Sequence, residues 1–575
     1  MSLKEKIFAP KFFDCLKGYN SGVFTADLMA GIVVGIVAIP LAIAFGIASG
    51  VGPAEGLITA IIAGFFIAVL GGSKVQIGGP TGAFIVIVYG IIQQHGLAGL
   101  MIATIMAGVI LVLLGVFKLG NIIKFVPYPV TVGFTGGIAL TIFSTQMNDF
   151  FGLGIEKVPA DFVHKWICYF ENFSHVNWWA FGVAAVSLLI IIFSPKISKK
   201  VPGSLVAIII ATIAVYFIKD HVDNTGIKTI GDLYEMPAGF PAPRFPDFAL
   251  AEGQTWLSVI QNLFPAAFTI AMLGAIESLL SAIVADGVIG DKHNSNTELI
   301  GQGVANIVVP FFGGIPATGA IARTMTNINN GGKTPVAGVI HCVILTLVLL
   351  FLGDLVKLIP MPCLAAVLVM VSYNMSGWKT FVSLSKNPKS DFSVLLTTFF
   401  LTVIFDLTIA IEIGLLLALV LFLRRTNESS VVRVFGKEID PSDNTDLQLH
   451  EEKLVVPDGV GVYEIDGPYF FGVATKFDDV MSAVAETPKV RIIRMRKVPF
   501  IDSTGMHNLS ELCQQSHKAG IQVILSGVNN HVHATLHKAG VDKIIGEEYI
   551  CANINIALEK AEAYVKGVSN PKLNA

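Results

Sequence analysis

The sequence predicts a polytopic α-helical membrane protein that ends in a small soluble α/β domain. Of its 575 residues, 53% are hydrophobic and only 14% charged, with a mean hydropathy of +0.69. Soluble proteins carry nearly twice that charged share. Apolar segments recur from about residue 24 to about 424 and then stop. Beyond them, short β-branched runs alternate with helical patterns, the signature of α/β layering.

The first 20 residues, MSLKEKIFAPKFFDCLKGYN, are basic, partly amphipathic and without a cleavable signal pattern; they read as a cytoplasmic lead-in helix. Residues 21–425 form the transmembrane part. Its first repeat, about 21–218, holds apolar segments at 24–48, 54–71, 81–94, 97–116, 122–148, 176–194 and 202–218. Its second, about 257–425, holds 257–286, 297–312, 318–328, 334–352, 361–375, 391–407 and 409–424. Seven plus seven gives fourteen segments, several of them shorter than the roughly 20 residues a full span needs. Four groups of cations fall on one side: Lys4, Lys6, Lys11 and Lys17; Lys196, Lys199 and Lys200; Lys379, Lys386 and Lys389; Arg424 and Arg425. The positive-inside rule makes that side cytoplasmic. Both termini then lie inside, and the mildly acidic connection 219–256 lies outside. Residues 426–458 read as a polar, turn-rich linker and 459–565 as the soluble domain. Strands are expected in GVGVYEIDGPYFFG, KVRIIRMRKVPFID and IQVILSGV, and helices in TKFDDVMSAVAETP, STGMHNLSELCQQSHKAG and NHVHATLHKAG.

Two apolar segments open on a Gly/Pro interruption. VQIGGPTGAF (75–84) breaks at Gly-Gly-Pro and resumes as helix from Thr81; FFGGIPATGAIARTMTNINNGGK (311–333) resumes near Thr318, with Arg323 just beyond. Lipid tolerates neither open backbone nor bare charge, so such breaks line a protein cavity. A helix starting there aims free N–H groups and a positive dipole end into that cavity, whose natural occupant is an anion. Paired breaks at corresponding places in two halves point to a transporter of inverted repeats with its site between them. The plain alternative is a pair of ordinary Gly/Pro loops. The six cysteines, Cys15, Cys168, Cys342, Cys363, Cys513 and Cys551, show no CxxC or Cys/His spacing, so neither a disulfide framework nor a metal site is expected. The absence of a catalytic triad, a phosphate-binding Gly–Lys loop and a nucleotide fingerprint argues against an enzyme or a primary pump.

GGPTGAF, GGIPATGAIARTMTNINNGG, HNSNTELIGQGVANI and, after a β-strand, IDSTGMHNL together resemble the SulP anion transporters, the sulfate-permease-type carriers related to prestin and pendrin. The C-terminal part resembles their STAS domain, a fold shared with anti-sigma-factor antagonists. The resemblance spans about 20 to 560. It implies two inverted repeats of seven segments, a core domain moving against a gate domain, usually a homodimer, and an anion held between the N-termini of the third and tenth segments. The matching positions are Thr81, Gly82 and Ala83 on one side and Gly319, Ala320 and Ile321 on the other, with Arg323 nearby. By position, Ser503 matches the serine phosphorylated in the antagonists, which implies a cytoplasmic regulator; a phosphate suits a helix N-terminus. The plainer role of Asp502 and Ser503 is to cap that helix.

Arg323 is costly within a membrane and so is expected to act, by adding a positive field at the anion site. Its structural alternative is an ion pair with Glu277. Glu277 lies in apolar sequence near the site and could take up a coupling ion, H+ or Na+; Ser281, one turn on, could complete a cation site. Sodium-coupled bicarbonate members of the resembled family often carry Asp where Glu277 stands and a hydroxyl where Ile321 stands, which favours a proton here. Thr81 is read as a substrate contact and Thr318 as a helix cap; Gln76 and Tyr128 are weaker polar candidates. His531, His533 and His537 read as a solvated helix face rather than a metal site. The function expected is a secondary active carrier of bicarbonate, sulfate or a small carboxylate, by symport or exchange, with an uncoupled or voltage-responsive anion channel as the alternative. Membrane lipid is the surrounding partner, and nothing points to nucleic acid.

Overall fold

The computed structural model describes residues 8–120, 126–159, 161–197, 202–222, 225–236, 239–245, 255–386, 388–405, 407–435, 438–439, 454–473, 476–477 and 488–567. It divides into two compact units, Met1–Ala418 and Leu419–Ala575. Lys4, Lys6, Lys199, Lys200, most of TKFDDVMSAVAETP and parts of the 219–256 connection lie outside the described residues.

The first unit is helical. Among the described residues seven helices are long and apolar enough to cross a membrane: Ser21–Ala48, Pro53–Leu70, Gly82–Val116, Tyr128–Phe151, Gly203–His221, Trp256–Ile289 and Met361–Leu384. The helices used below are α1 (Lys11–Leu16), α2 (Ser21–Ala48), α3 (Pro53–Leu70), α4 (Ile85–Val116), α5 (Tyr128–Thr145), α6 (Trp178–Ile197), α7 (Gly203–His221), α8 (Trp256–Ile289), α9 (Ser295–Val308), α10 (Ile321–Asn329), α11 (Val336–Phe351), α12 (Met361–Met375), α13 (Lys389–Ile404) and α14 (Leu407–Ser429). They pack in two groups. One holds α2, α3, α4, α8, α9, α10 and α11; the other holds α5, α6, α7, α12 and α13.

Water does not drive helices together inside a bilayer, so close backbone packing must. Glycine supplies it where α4 crosses α9: a Cβ on Gly108 would sit 2.6 Å from the Gly303 carbonyl, and one on Gly303 would sit 2.6 Å from the Gly108 carbonyl. Local chemistry sets the ends. Asn20 caps α2 by accepting from the Val23 amide at 3.0 Å, and Pro53 opens α3 at a position where a missing N–H costs nothing. The expected segments 81–94 and 97–116 are separated at Gly96, whose φ of 69° and ψ of −176° interrupt the helix within Ile85–Val116.

The second unit carries a five-stranded sheet of β3 (Val431–Phe435), β4 (Val460–Asp466), β5 (Val490–Lys497), β6 (Gln522–Ser526) and β7 (Ile550–Cys551), in that order; β1 (Gly78–Gly79) and β2 (Thr318–Gly319) belong to the first unit. All its pairings are parallel except β3 with β4. Tyr463, Ile465, Ile493 and Leu525 face α15 (Ser503–Lys518) and α16 (Asn530–Lys538), whereas Val462, Ile492 and Ile524 face α17 (Ile554–Val565). The expected strands and the two expected helices at 503–518 and 530–538 are present. The linker reading of 426–458 needs correction, because α14 continues to Ser429 and residues 431–435 pair with β4 as an edge strand.

Candidate functional site

The two breaks meet. β1 (Gly78–Gly79) and β2 (Thr318–Gly319) form a two-residue antiparallel pair, with Gly78 opposite Gly319 and Gly79 opposite Thr318. The Ala320 amide donates to the Ile77 carbonyl at 2.9 Å and so ties the start of α10 to the first break. Two helix starts far apart in the sequence therefore meet in one small region. Glycine is required on both sides of the crossing. Gly79 has φ of 148°, and a Cβ there would lie 2.3 Å from an Arg323 guanidinium nitrogen; a Cβ on Gly319 would lie 2.1 Å from Gln76 Nε2.

Buried polar side chains satisfy the open backbone around the breaks. Glu298 on α9 is fully buried and accepts four hydrogen bonds: from the Gly72 and Ser73 amides at 2.8 and 3.1 Å, and from Gln76 and Gln302 at 2.8 and 2.9 Å. Asn306 exchanges two bonds with Ala317, each 2.9 Å. Asn327 donates to the Val75 carbonyl at 2.8 Å, Thr324 accepts from the Ile77 amide at 3.0 Å, and Thr59 accepts from the Ile315 amide at 2.8 Å. Glu298, Gln302 and Asn306 stand at i, i+4 and i+8, so one face of α9 is polar and wholly buried. That spacing was the available signal, and sequence reasoning passed over it.

Thr81, Gly82 and Ala83 lie together at the start of the first half-helix. Thr81 occupies the N-cap position of a 3-10 turn, Gly82–Phe84, that leads into α4, but its side chain makes no capping bond. Its hydroxyl instead donates to Glu277 Oε2 on α8 at 3.2 Å. A Cβ on Gly82 would lie 2.9 Å from Met375 Sδ and 3.3 Å from Ile142, so this helix start abuts α12 and α5 of the second group. On the other side, Gly319, Ala320 and Ile321 bring the second half-helix in. Ile321 is 43% exposed, and Thr81 and Glu277 are half-buried; these three side chains are not sealed by packing.

Arg323 is 1% exposed. One guanidinium nitrogen donates to the Pro80 carbonyl, and the other is buried without a hydrogen-bond partner among the described residues. The alternative of an ion pair with Glu277 is not met: the arginine goes to the first break's backbone and the glutamate to Thr81. The helix expected near Thr318 begins at Ile321, with Ala320 at its N-cap. Thr318 is not its cap. Fully buried, it donates to the Gly274 carbonyl at 3.0 Å and lies 2.6 Å from the Ser278 hydroxyl, which in turn accepts from the Gly319 amide at 3.2 Å. Ser281 is also buried, and donates to Thr324 at 3.3 Å; it ties α8 to α10 rather than joining Glu277. Gln76 serves Glu298, and Tyr128 is 60% exposed at the start of α5.

In the second unit Ser503 is exposed at the first turn of α15, and Asp502 caps that helix by accepting from the Gly505 amide at 2.7 Å. Among the described residues no group of three or more His, Cys, Asp or Glu side chains is placed to hold a metal ion. His537 pairs with Asp542 at 2.5 Å, and holds that carboxyl below the usual carboxylate range by hydrogen bonding.

The chain matches the model of the sulfate permease family over residues 24–398 and that of the STAS domain over 453–563. It is 44% identical over 542 residues to the Bacillus subtilis (strain 168) protein named "Putative sulfate transporter YvdB", covering 94% of this chain and 98% of that one. It is 30% identical over 518 residues to the bicarbonate transporter BicA of Synechocystis, covering 88% of each. The solved transmembrane domain of a cyanobacterial BicA superposes with a TM-score of 0.60 at 30% identity, over 70% of this chain and 98% of that one. The structure of SLC26A9 superposes with a TM-score of 0.83 over 96% of this chain and 92% of that one; at 18% identity it speaks to the fold alone.

Proposed function

The chain belongs to the sulfate permease family, whose members are transporters and not enzymes, and on that premise we propose a secondary active carrier of a small anion, sulfate or bicarbonate first, coupled to a proton or sodium ion. The observation that carries this reading is the Thr81–Glu277 hydrogen bond, which places an acid at the start of the anion-facing half-helix. The anion lies between the helix starts at Thr81, Gly82 and Ala83 and at Gly319, Ala320 and Ile321, within the positive field of Arg323. An ionised Glu277 opposes that field. Loading it with H+ or Na+ removes the opposition, so cation and anion each favour the other's binding by the same factor. The first helix group acts as the core domain that carries both ions, and the second as the gate, in a fourteen-segment inverted-repeat fold. We further assign both termini to the cytoplasm, a homodimer as the working unit, and Ser503 as a regulatory contact of the STAS domain.

The test is uptake of labelled sulfate and bicarbonate into proteoliposomes under an imposed proton gradient, a sodium gradient or neither. Accumulation is expected under one gradient, lost in Glu277→Gln while exchange of anion for anion persists. Equal uptake under all three conditions, unchanged in Glu277→Gln, overturns the coupled reading and leaves a channel or exchanger.

A further inference from the structure

A cavity separate from the two breaks lies between α1, the start of α2, the segment that follows α3 and the loop before α11. Its volume is about 410 Å³, and Lys11, Lys17, Lys74 and Lys333 line it together with Asp14 and Tyr19. Two lysines are already engaged: Lys17 with Asp14 at 3.4 Å and Lys74 with Asp291 at 2.7 Å. Lys11 and Lys333 have no carboxylate partner among the described residues. The nearby Asp27 carboxylate does not serve them through their ammonium groups. It accepts from the Lys333 and Thr334 amides at 2.7 and 3.1 Å, from Tyr19 at 3.0 Å and from the Thr334 hydroxyl. Asp14 and Asp291 each answer one lysine and Asp27 is occupied by backbone and hydroxyl donors, so Lys11 and Lys333 are left as the ammonium groups with no carboxylate paired to them among the described residues.

The same corner exposes aromatic and aliphatic surface. Phe13 and Leu16, one turn apart on α1, are 55% and 44% exposed, and Phe8 and Phe24 flank them at 44% and 47%. A short helix with apolar side chains outward and lysines beside it has the composition of a segment lying in a membrane interface. Lysine ammonium groups then sit at headgroup depth, where anionic lipid attracts them.

We propose that this cavity is a binding site for the phosphate headgroup of an anionic membrane lipid, with Lys11 and Lys333 as its free donors and α1 laid in the interface above it. The site is wired to the breaks. α1 is held by the Lys11 amide to the Gly71 carbonyl at 3.1 Å and the Ala9 amide to Thr297 at 3.0 Å. Lys74 follows Gly72 and Ser73, whose amides bind Glu298, and Glu298 in turn holds Gln76 beside the first break. A headgroup held by Lys11 and Lys333 therefore sits beside Lys74 and the loop that positions β1.

The full chain, purified in detergent, would be assayed by native mass spectrometry for retention of phosphatidylglycerol against phosphatidylcholine. Wild-type protein is expected to retain phosphatidylglycerol selectively. The double variant Lys11→Gln/Lys333→Gln should retain it roughly 30-fold less, in line with the attraction of a lysine pair to an anionic surface. Lys11→Arg/Lys333→Arg should keep retention and shows that the fold tolerates change at both positions. Lys389→Gln, a lysine elsewhere in the chain, should leave retention unchanged. Equal retention of the two lipids by the wild type overturns the proposal, as does an equal loss in Lys389→Gln. Soluble glycerol phosphate is the second arm. If it binds with the same lysine dependence while phosphatidylglycerol does not, the source is a free phosphate and the lipid assignment falls.

Discussion

The two breaks occupy matching places in the chain, yet they are built differently. At the first, the threonine is half-buried, caps nothing and reaches across to Glu277. At the second, the threonine is fully buried and locked onto Gly274 and Ser278, and the residue that packing leaves unsealed is Ile321. The backbone before the first break hangs on the Glu298 carboxylate, whereas the backbone at the second hangs on neutral Asn306 and Ser278. The cation crosses over: Arg323 belongs to the second break by sequence and to the first by its hydrogen bond. The two breaks thus contribute a polar half and an apolar half to one candidate site.

The largest effect expected from disturbing this difference is at the support. Glu298→Ala leaves four buried donors without their acceptor, at a cost of about 3 kcal/mol or more. Ser278→Ala on the other side removes one neutral partner and is expected to cost about 1 kcal/mol. Thermal unfolding of the detergent-solubilised proteins compares the two; equal losses would erase the asymmetry of support.

The threonines come next. Thr318→Val should lower stability by about 1–2 kcal/mol while leaving ion coupling intact, because its hydroxyl serves packed backbone. Thr81→Val should do the opposite: little change in melting temperature, but a shift of several-fold in the driving-ion dependence of uptake, since Glu277 loses its donor. Like behaviour of the two variants would break the assignment. Ile321→Ser should act more mildly, adding a hydroxyl to the apolar half and raising sodium stimulation of uptake by a few-fold; no change would place the cation wholly with Glu277.

The smallest effect lies outside the membrane segments. The hydrogen bond from Lys74 holds the Asp291 carboxyl below its ordinary value of 3.8. A depressed carboxylate stabilises the fold above its unfolded value, and that stability fades as pH falls through the lower folded value. Both side chains are more than a third exposed, so Asp291→Asn is expected to cost well under ~1 kcal/mol at neutral pH, and to make the melting temperature less sensitive to acid below about pH 4.

Much of this arrangement was legible in the residues. The Gly/Pro breaks, the charge at Arg323 and the alternating runs at 460–466 and 490–497 each obey a local rule, and local rules survive the passage from sequence to fold. The start of α10 did not survive it. Thr318 is a good cap by type, but a tertiary pairing of Gly78 with Gly319 pulled it into β2 and moved the helix start to Ile321. Glu298 was overlooked for a related reason: its four partners lie between 4 and 226 residues away, and three of them more than 220. The edge strand at 431–435 carried only a five-residue β-branched signal, VVRVF, and the partner that makes it a strand begins at residue 460.

The pairing of Gly78 with Gly319 has a consequence for biosynthesis. A ribosome adding about 5–20 residues each second needs roughly 10–50 seconds to deliver the second break after the first. During that interval residues 75–79 wait without Asn327, Thr324, Ala320 or β2, and with Glu298 arriving only shortly before them. A half-made chain therefore holds an unpartnered stretch of backbone that lipid will not accept. It must be sheltered by the insertion machinery or by water until the second half arrives, which makes nascent-chain handling, rather than the finished protein, the stage most exposed to substitutions at these glycines.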